Sequence, residues 1–239
     1  MPDAKRPATS HADPAGRPRR RAGPRRARRP ELRLPVLTPW PDEPLSPGGD
    51  YDGLELSDAD LTGQDGGGAR LMDCLLRGCA LDETRLARAR VLDSRLDAPR
   101  GVGTDLSGAT LRDVELVDAR LGGTQLHGAE LERVVIRGGK IDYLNLRGAR
   151  LRDVVFEGCV LVEPDFGGAR LERVEFPDCT LREADLSAAT LSEVDLRHTA
   201  SLGIAAGLDR LSGAVISPAQ LLDLAPALAA QLGLRVEAT

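Results

Sequence analysis

Leucine or a close substitute returns at every fifth residue: "GATLRDVELVDARL", Gly108 to Leu121, sets Leu111, Leu116 and Leu121 in one phase. That spacing fits neither the 3.6-residue period of a helix nor the strict alternation of a strand. The phase holds from Leu56 to Leu196, and only Gly66 and Gly101 break it. Two residues before each phased position stands something small, as in Ala109 before Leu111, so the unit reads small-x-Leu-x-x.

A second period lies above the first. Residues twenty apart share their character: Ala69, Ala89, Ala109, Ala129, Ala149, Ala169 and Ala189 form one column, and Val114, Val134, Val154, Val174 and Val194 another. Thr84, Thr104 and Thr124 make a third, with Ala59, Cys79, Ala119, Cys159 and Cys179 in the fourth. A five-residue repeat alone would not give side-specific identities. Four units therefore close one turn, and turns stack without insertion from Leu54 to Leu196, which predicts about seven coils of a solenoid.

The units "ADLTG" from Ala59, "TDLSG" from Thr104, "ADLSA" from Ala184 and "VDLRH" from Val194 carry a further implication. The stretch from about 54 to 199 resembles the pentapeptide-repeat family, with its A(D/N)LXX pattern. The resemblance implies an all-β solenoid, a right-handed quadrilateral β-helix with the small residue and the leucine pointing inward. It also implies a functional class, since members of that family inhibit or protect DNA gyrase through an acidic rod thought to imitate duplex DNA.

The ends read differently. "ISPAQLLDLAPALAAQLG" predicts a C-terminal helical cap with Ser217 as N-cap, Pro218 in the first turn and Gly233 as the stop, kinked or divided at Pro226. Leu211 to Ile216 regain the phase as a last partial coil, so residues 200–239 form one closing unit. Residues 31–53, rich in proline and glycine around the lone Trp40, are expected to be an irregular lead-in that covers the first coil.

Charge divides the chain again. Its net charge of −5 conceals a first thirty residues with ten Lys and Arg against two acids, and a remainder with 22 against 35. Residues 1–30 are arginine- and proline-rich and low in apolar content, which predicts a disordered arm. Arg19, Arg20, Arg21, Arg25, Arg26, Arg28 and Arg29 would give it weak, non-specific nucleic-acid binding. A plain solvated tail, or translation from a start upstream of the true one, are the other readings of the arm.

No apolar run approaches the roughly 18 residues of a membrane span, and the arginines precede no apolar segment, so a cytoplasmic location without membrane contact is expected. Cys74, Cys79, Cys159 and Cys179 lack paired spacing and are expected to be reduced core residues. His11, His127 and His198 are isolated, and "GGK" at Gly138 continues into Ile141 where a phosphate loop requires Ser or Thr. With the interior filled by Leu and Ala, neither catalysis, nor a cofactor, nor a metal is expected.

Partner binding is then the remaining class. Between Leu56 and Thr199 there are 26 acids and 19 bases. About seven coils at 4.8 Å would span some 34 Å, over which DNA carries about 20 charges, so imitation of DNA is only partial. Outward slots hold Val135 and Val155 in one column, Val160 and Val162 round the corner, and Tyr143 one coil earlier. These five residues are expected to form an exposed apolar patch for a protein partner, a homodimer being the simplest case.

Overall fold

The computed structural model describes residues 23–41 and 43–237. They form a parallel β-solenoid of about nine turns with one C-terminal helix. Stacking is at the predicted offset of twenty: Leu131 pairs with Leu111 and Leu151, and Val134 with Val114 and Val154. The strands collect into a thirteen-stranded and a six-stranded sheet.

Each turn is square because the backbone turns a corner at every fifth residue. Two residues after each inward leucine the chain enters the left-handed region, with φ of 54° at Asp113, 51° at Asp118, 61° at Gly123 and 67° at Gly128. Glycine reaches that region without a Cβ clash and Asp tolerates it, which explains why the last place of the unit is so often Gly or Asp. Between the corners, the alanine column and the valine column are fully buried from Ala69 to Val194. Thr84 and Thr104 are buried with their hydroxyls donating to the Leu61 and Leu81 carbonyls, at 2.9 and 2.8 Å.

Both breaks in the leucine phase have a physical cause. At Gly66 the missing side chain is replaced by Leu45 from the lead-in, whose Cβ lies 3.5 Å from where a Gly66 Cβ would stand. At Gly101 the strand closes onto the turn below, so that a Cβ would meet the Leu81 carbonyl carbon at 2.6 Å. The Thr124 hydroxyl, in the slot equivalent to Thr104, is buried there without a partner. Beside it runs an apolar cavity of about 70 Å³ lined by residues such as Leu81, Leu106, Leu121 and Leu126. The turns further along are filled by Phe156, Phe166 and Phe176, with Phe156 and Phe176 stacked at 5.0 Å and Phe166 edge-on to both.

The count of seven coils is corrected at both ends. Within the lead-in, Thr38–Pro39 pair with Leu54 and Glu55, and Asp50–Asp52 pair with Arg70–Met72, so these residues already belong to a turn. At the other end Ser201–Ala206 pair with the preceding turn at an offset of 21 at Thr180 and Leu181, and Ala214–Val215 pair with Val194 and Asp195. Trp40 stacks on Tyr51 at 4.5 Å and donates to the Glu43 carbonyl at 2.7 Å, closing the first turn.

The helix, Pro218–Gln231, starts at Ser217 and runs through Pro226 without division. Ser217 and Gln220 form a reciprocal capping box. The Gln220 amide also donates to the Leu196 carbonyl at 2.7 Å, which ties the helix to the solenoid. Its burial is confined to Gln220 and Leu224, while Leu221, Leu222 and Leu232 face outward.

Candidate functional site

The outward column that contains the two valines runs Leu75, Arg95, Glu115, Val135, Val155, Glu175 up the thirteen-stranded sheet. Val135 and Val155 stand outside the interior cluster that holds Val134, Ile136, Val154 and Phe156. Their outward direction is as expected. Their exposure is not: each is only 1% accessible.

The cover is the chain's own arm. The Arg25 guanidinium lies 3.8 Å from Glu193, and the Ala27 N–H donates to Glu175 at 2.7 Å. The Arg28 N–H donates to Asp153 at 3.1 Å, and Arg29 donates to Glu157 at 2.9 Å. Asp153 and Glu157 bracket Val155 on its own strand, Asp153 two residues before it and Glu157 two after, and Glu175 sits one turn above. The segment therefore crosses the valine strip along the solenoid axis, against the direction in which the turns advance. Pro24 and Ala27 are half-buried and Pro30 is buried, a spacing of three that matches a polyproline II segment turned with one edge toward the sheet. At about 3.1 Å per residue against 4.8 Å per turn, Pro30 falls on the Val135 turn.

Expectations for the arm and the patch change accordingly. Residues 23–30 are an ordered, extended strap rather than a disordered tail, because carboxylates of the solenoid supply acceptors for its N–H groups and arginines. Arg19, Arg20 and Arg21 lie outside the described residues; Arg26 is exposed, with no ion pair among the described residues. Val135 and Val155 leave the exposed patch.

Electrostatics favours the seated arm. Burial acts to raise the Asp153 carboxyl, but the Arg173 guanidinium at 2.7 Å, the Arg28 N–H and their charges hold it below its ordinary value. At Glu157 burial again opposes, and Arg29 with Arg137 prevails, so that this carboxyl too is held down.

Of the other members of the patch, Val160 and Val162 sit on the six-stranded sheet, and Tyr143 at the corner that follows the strand Lys140–Asp142. Val160 and Val162 are half-buried, while Tyr143 is 58% exposed. Two turns before Asp142, the sequence pattern did not reveal Val102, 63% exposed, in the column Val102, Gly122, Asp142, Val162. The parallel column is Arg100, Arg120, Lys140, Val160, and its first three members, with Val102, Gly122, Asp82 and Asp142, line a shallow open depression. Val102 could have been found from its outward slot, but with glycine stacked beside it the sequence shows no run of apolar residues.

The interior cavity is lined mainly by leucines with no charged group, and no group of three or more His, Cys, Asp or Glu side chains is placed to hold a metal ion among the described residues. The four cysteines are buried and unbridged, and contact with Cys179 together with burial pushes the Cys159 thiol up. Among the described residues no helix is long and apolar enough to cross a membrane.

Two family models match the chain: one described as a pentapeptide repeat region over residues 69–146, and one of pentapeptide repeats, in eight copies, over 143–176 and 165–199. Together they span more than half of the chain. No curated protein matches it. Among solved structures, HetL, a pentapeptide repeat protein involved in heterocyst differentiation regulation from the cyanobacterium Nostoc sp. strain PCC 7120, is 24% identical over 71% of this chain and 90% of its own, with a TM-score of 0.30. A trypsin-treated form of QnrB1, a plasmid-mediated fluoroquinolone resistance protein, is 19% identical over 80% of this chain and 98% of its own, with a TM-score of 0.31. Full-length QnrB1 is 18% identical over 76% and 91%, at 0.28.

Proposed function

The chain belongs to the pentapeptide-repeat family, and from that premise we propose that it is a non-enzymatic scaffold whose rigid β-helical surface is presented to a protein partner. The observation that carries this reading is the face with Tyr143 and Val102, both more than half exposed, beside Arg100, Arg120 and Lys140. Exposed Tyr143 and Val102 with nearby arginines match the aromatic and arginine enrichment of interface centres, and Asp82 and Asp142 add polar groups to the depression between the arginines and Gly122. The stacked turns fix the backbone that carries these groups, so little backbone entropy is lost on docking.

The test is capture of partners by the intact chain and by a Val102→Glu, Tyr143→Glu double variant. Both side chains are exposed, so the variant keeps its melting temperature and loses the partner. A partner retained at full yield would remove this face from the reading.

The gyrase reading implied by the family resemblance is weaker on this surface. Imitation of DNA needs unpaired negative charge along the rod, but Asp113 is held by Arg133, Asp153 by Arg173, Asp165 by Arg147 and Glu115 by Arg95. Inhibition of gyrase supercoiling by the intact chain at micromolar concentration would restore it.

A further inference from the structure

The strip under the arm has the parts of a peptide site. Its floor is Val135 and Val155, and its rim is Asp153, Glu157, Glu175 and Glu193. Two of these carboxylates take backbone N–H groups, from Ala27 and Arg28, and so recognise an extended main chain whatever its side chains. The other two take guanidinium groups, and the buried Pro30 supplies a side chain that fills space without needing a hydrogen-bond donor. Recognition thus combines shape, main chain and charge.

We propose that this acid-rimmed valine strip is a docking groove for an extended arginine- and proline-containing segment of a partner protein, kept closed in the free chain by residues 25–30. Charge complementarity selects the occupant: Asp153 keeps Arg173 and Glu157 keeps Arg137, but a neutral or acidic segment would leave Glu175 and Glu193 beside the apolar floor with no ion pair among the described residues. A partner is favoured over the arm of a second copy for a statistical reason. An identical segment in trans gains no contact that the tethered one lacks, and the tethered one has an effective concentration in the millimolar range. A partner segment that also touches the surrounding surface can displace it. The groove uses neither Val102 nor Tyr143, so it stands or falls apart from the face described above.

The experiment uses the full-length chain and a fluorescein-labelled peptide of sequence RRARRPELRL, which is residues 25–34, followed by fluorescence anisotropy. In an Arg25→Glu, Arg29→Glu variant the tethered segment is repelled from Glu193 and Glu157, and the peptide should bind about tenfold or more tightly than to the unchanged chain, since apparent affinity scales with the open fraction. A Glu157→Arg, Glu175→Arg variant, altered at partly exposed positions and so able to fold, should lose peptide binding. The same peptide with alanine for its proline should bind worse than the parent. Equal binding to all three chains, or to both peptides, would mean non-specific charge attraction and would overturn the proposal. So would sedimentation of the unchanged chain as a dimer that the Arg25→Glu, Arg29→Glu variant abolishes, because the occupant would then be a second copy.

Discussion

Thr104 and Thr124 occupy equivalent slots one turn apart, and their hydroxyls have opposite fates. Replacing Thr104 by Val leaves the Leu81 carbonyl without that donor and should cost about 1 kcal/mol. Thr124→Val removes a hydroxyl that has no partner and should be neutral or stabilising; equal losses in urea unfolding would contradict the assignment. Asp93 offers a test with a definite sign. Burial first, then the Asp113 and Asp73 carboxylates in the same column, push its carboxyl up. A raised folded-state value means that ionisation works against the fold, so stability is lost as pH rises through it. Asp93→Asn, at a backbone φ of 46° that Asn adopts readily, should raise the melting temperature at pH 7. The gain should vanish as the pH falls into the carboxylate range. Ala129 is fully buried in the alanine column, and Ala129→Leu should cost about 1 to 3 kcal/mol through overpacking. Such positions were legible because the interior repeats its demand every twenty residues. The burial of Val155 was not, because its cover comes from residues more than a hundred positions away, and no periodicity links the two.

Among elements, the helix was legible and the strap was not. Ser217 and Pro218 announce a helix start by local chemistry, which needs no tertiary information. What the sequence could not show is that Gln220 serves both as the capping partner and as the latch to Leu196. Ser217→Ala should therefore cost about 1 kcal/mol of helix stability. Gln220→Ala should cost more and free the helix from the last turn, seen as faster amide exchange over 218–231. For the strap, arginine-rich composition predicts disorder because it counts apolar residues and net charge in isolation. It cannot count the acids that a folded neighbour offers. Docking should depend on pH with a clear sign: the Asp153 and Glu157 carboxyls are held down, so their contribution is complete above the ordinary carboxylate values near about 4 and is lost as the pH falls further. The Ala27 and Arg28 amides, protected at pH 6, should lose protection as the pH falls below the ordinary carboxylate values; protection unchanged down to about pH 2 would show that the carboxylates do not hold the segment.

For the whole molecule, the strap changes what a solenoid ordinarily is. Turns in such a stack contact only their neighbours, so stability is close to a sum of adjacent interfaces and unfolding can begin at the weakest. Here the turns are unequal. Those around Gly101 enclose a cavity and an unpaired hydroxyl, while those around Phe156, Phe166 and Phe176 are packed with aromatic rings, two stacked and one edge-on. A strap that pairs at Thr38 with the first turns and reaches Glu193 near the last joins distant turns directly. It couples the weak region to the strong one, since opening the former requires either lifting the strap or straining it. The unchanged chain should therefore unfold in one transition, and the Arg25→Glu, Arg29→Glu variant in two. The protein supplies its own reporter, for Trp40 is the single tryptophan and stacks on Tyr51 in the first turn. Its fluorescence should change together with far-UV circular dichroism across a urea titration of the unchanged chain. In the variant the tryptophan midpoint should come first, because the turns before the cavity separate from the aromatic turns once nothing spans them. Coincident midpoints in the variant would mean that neighbour contacts alone make the array cooperative, and that the strap covers the valines without stiffening the rod.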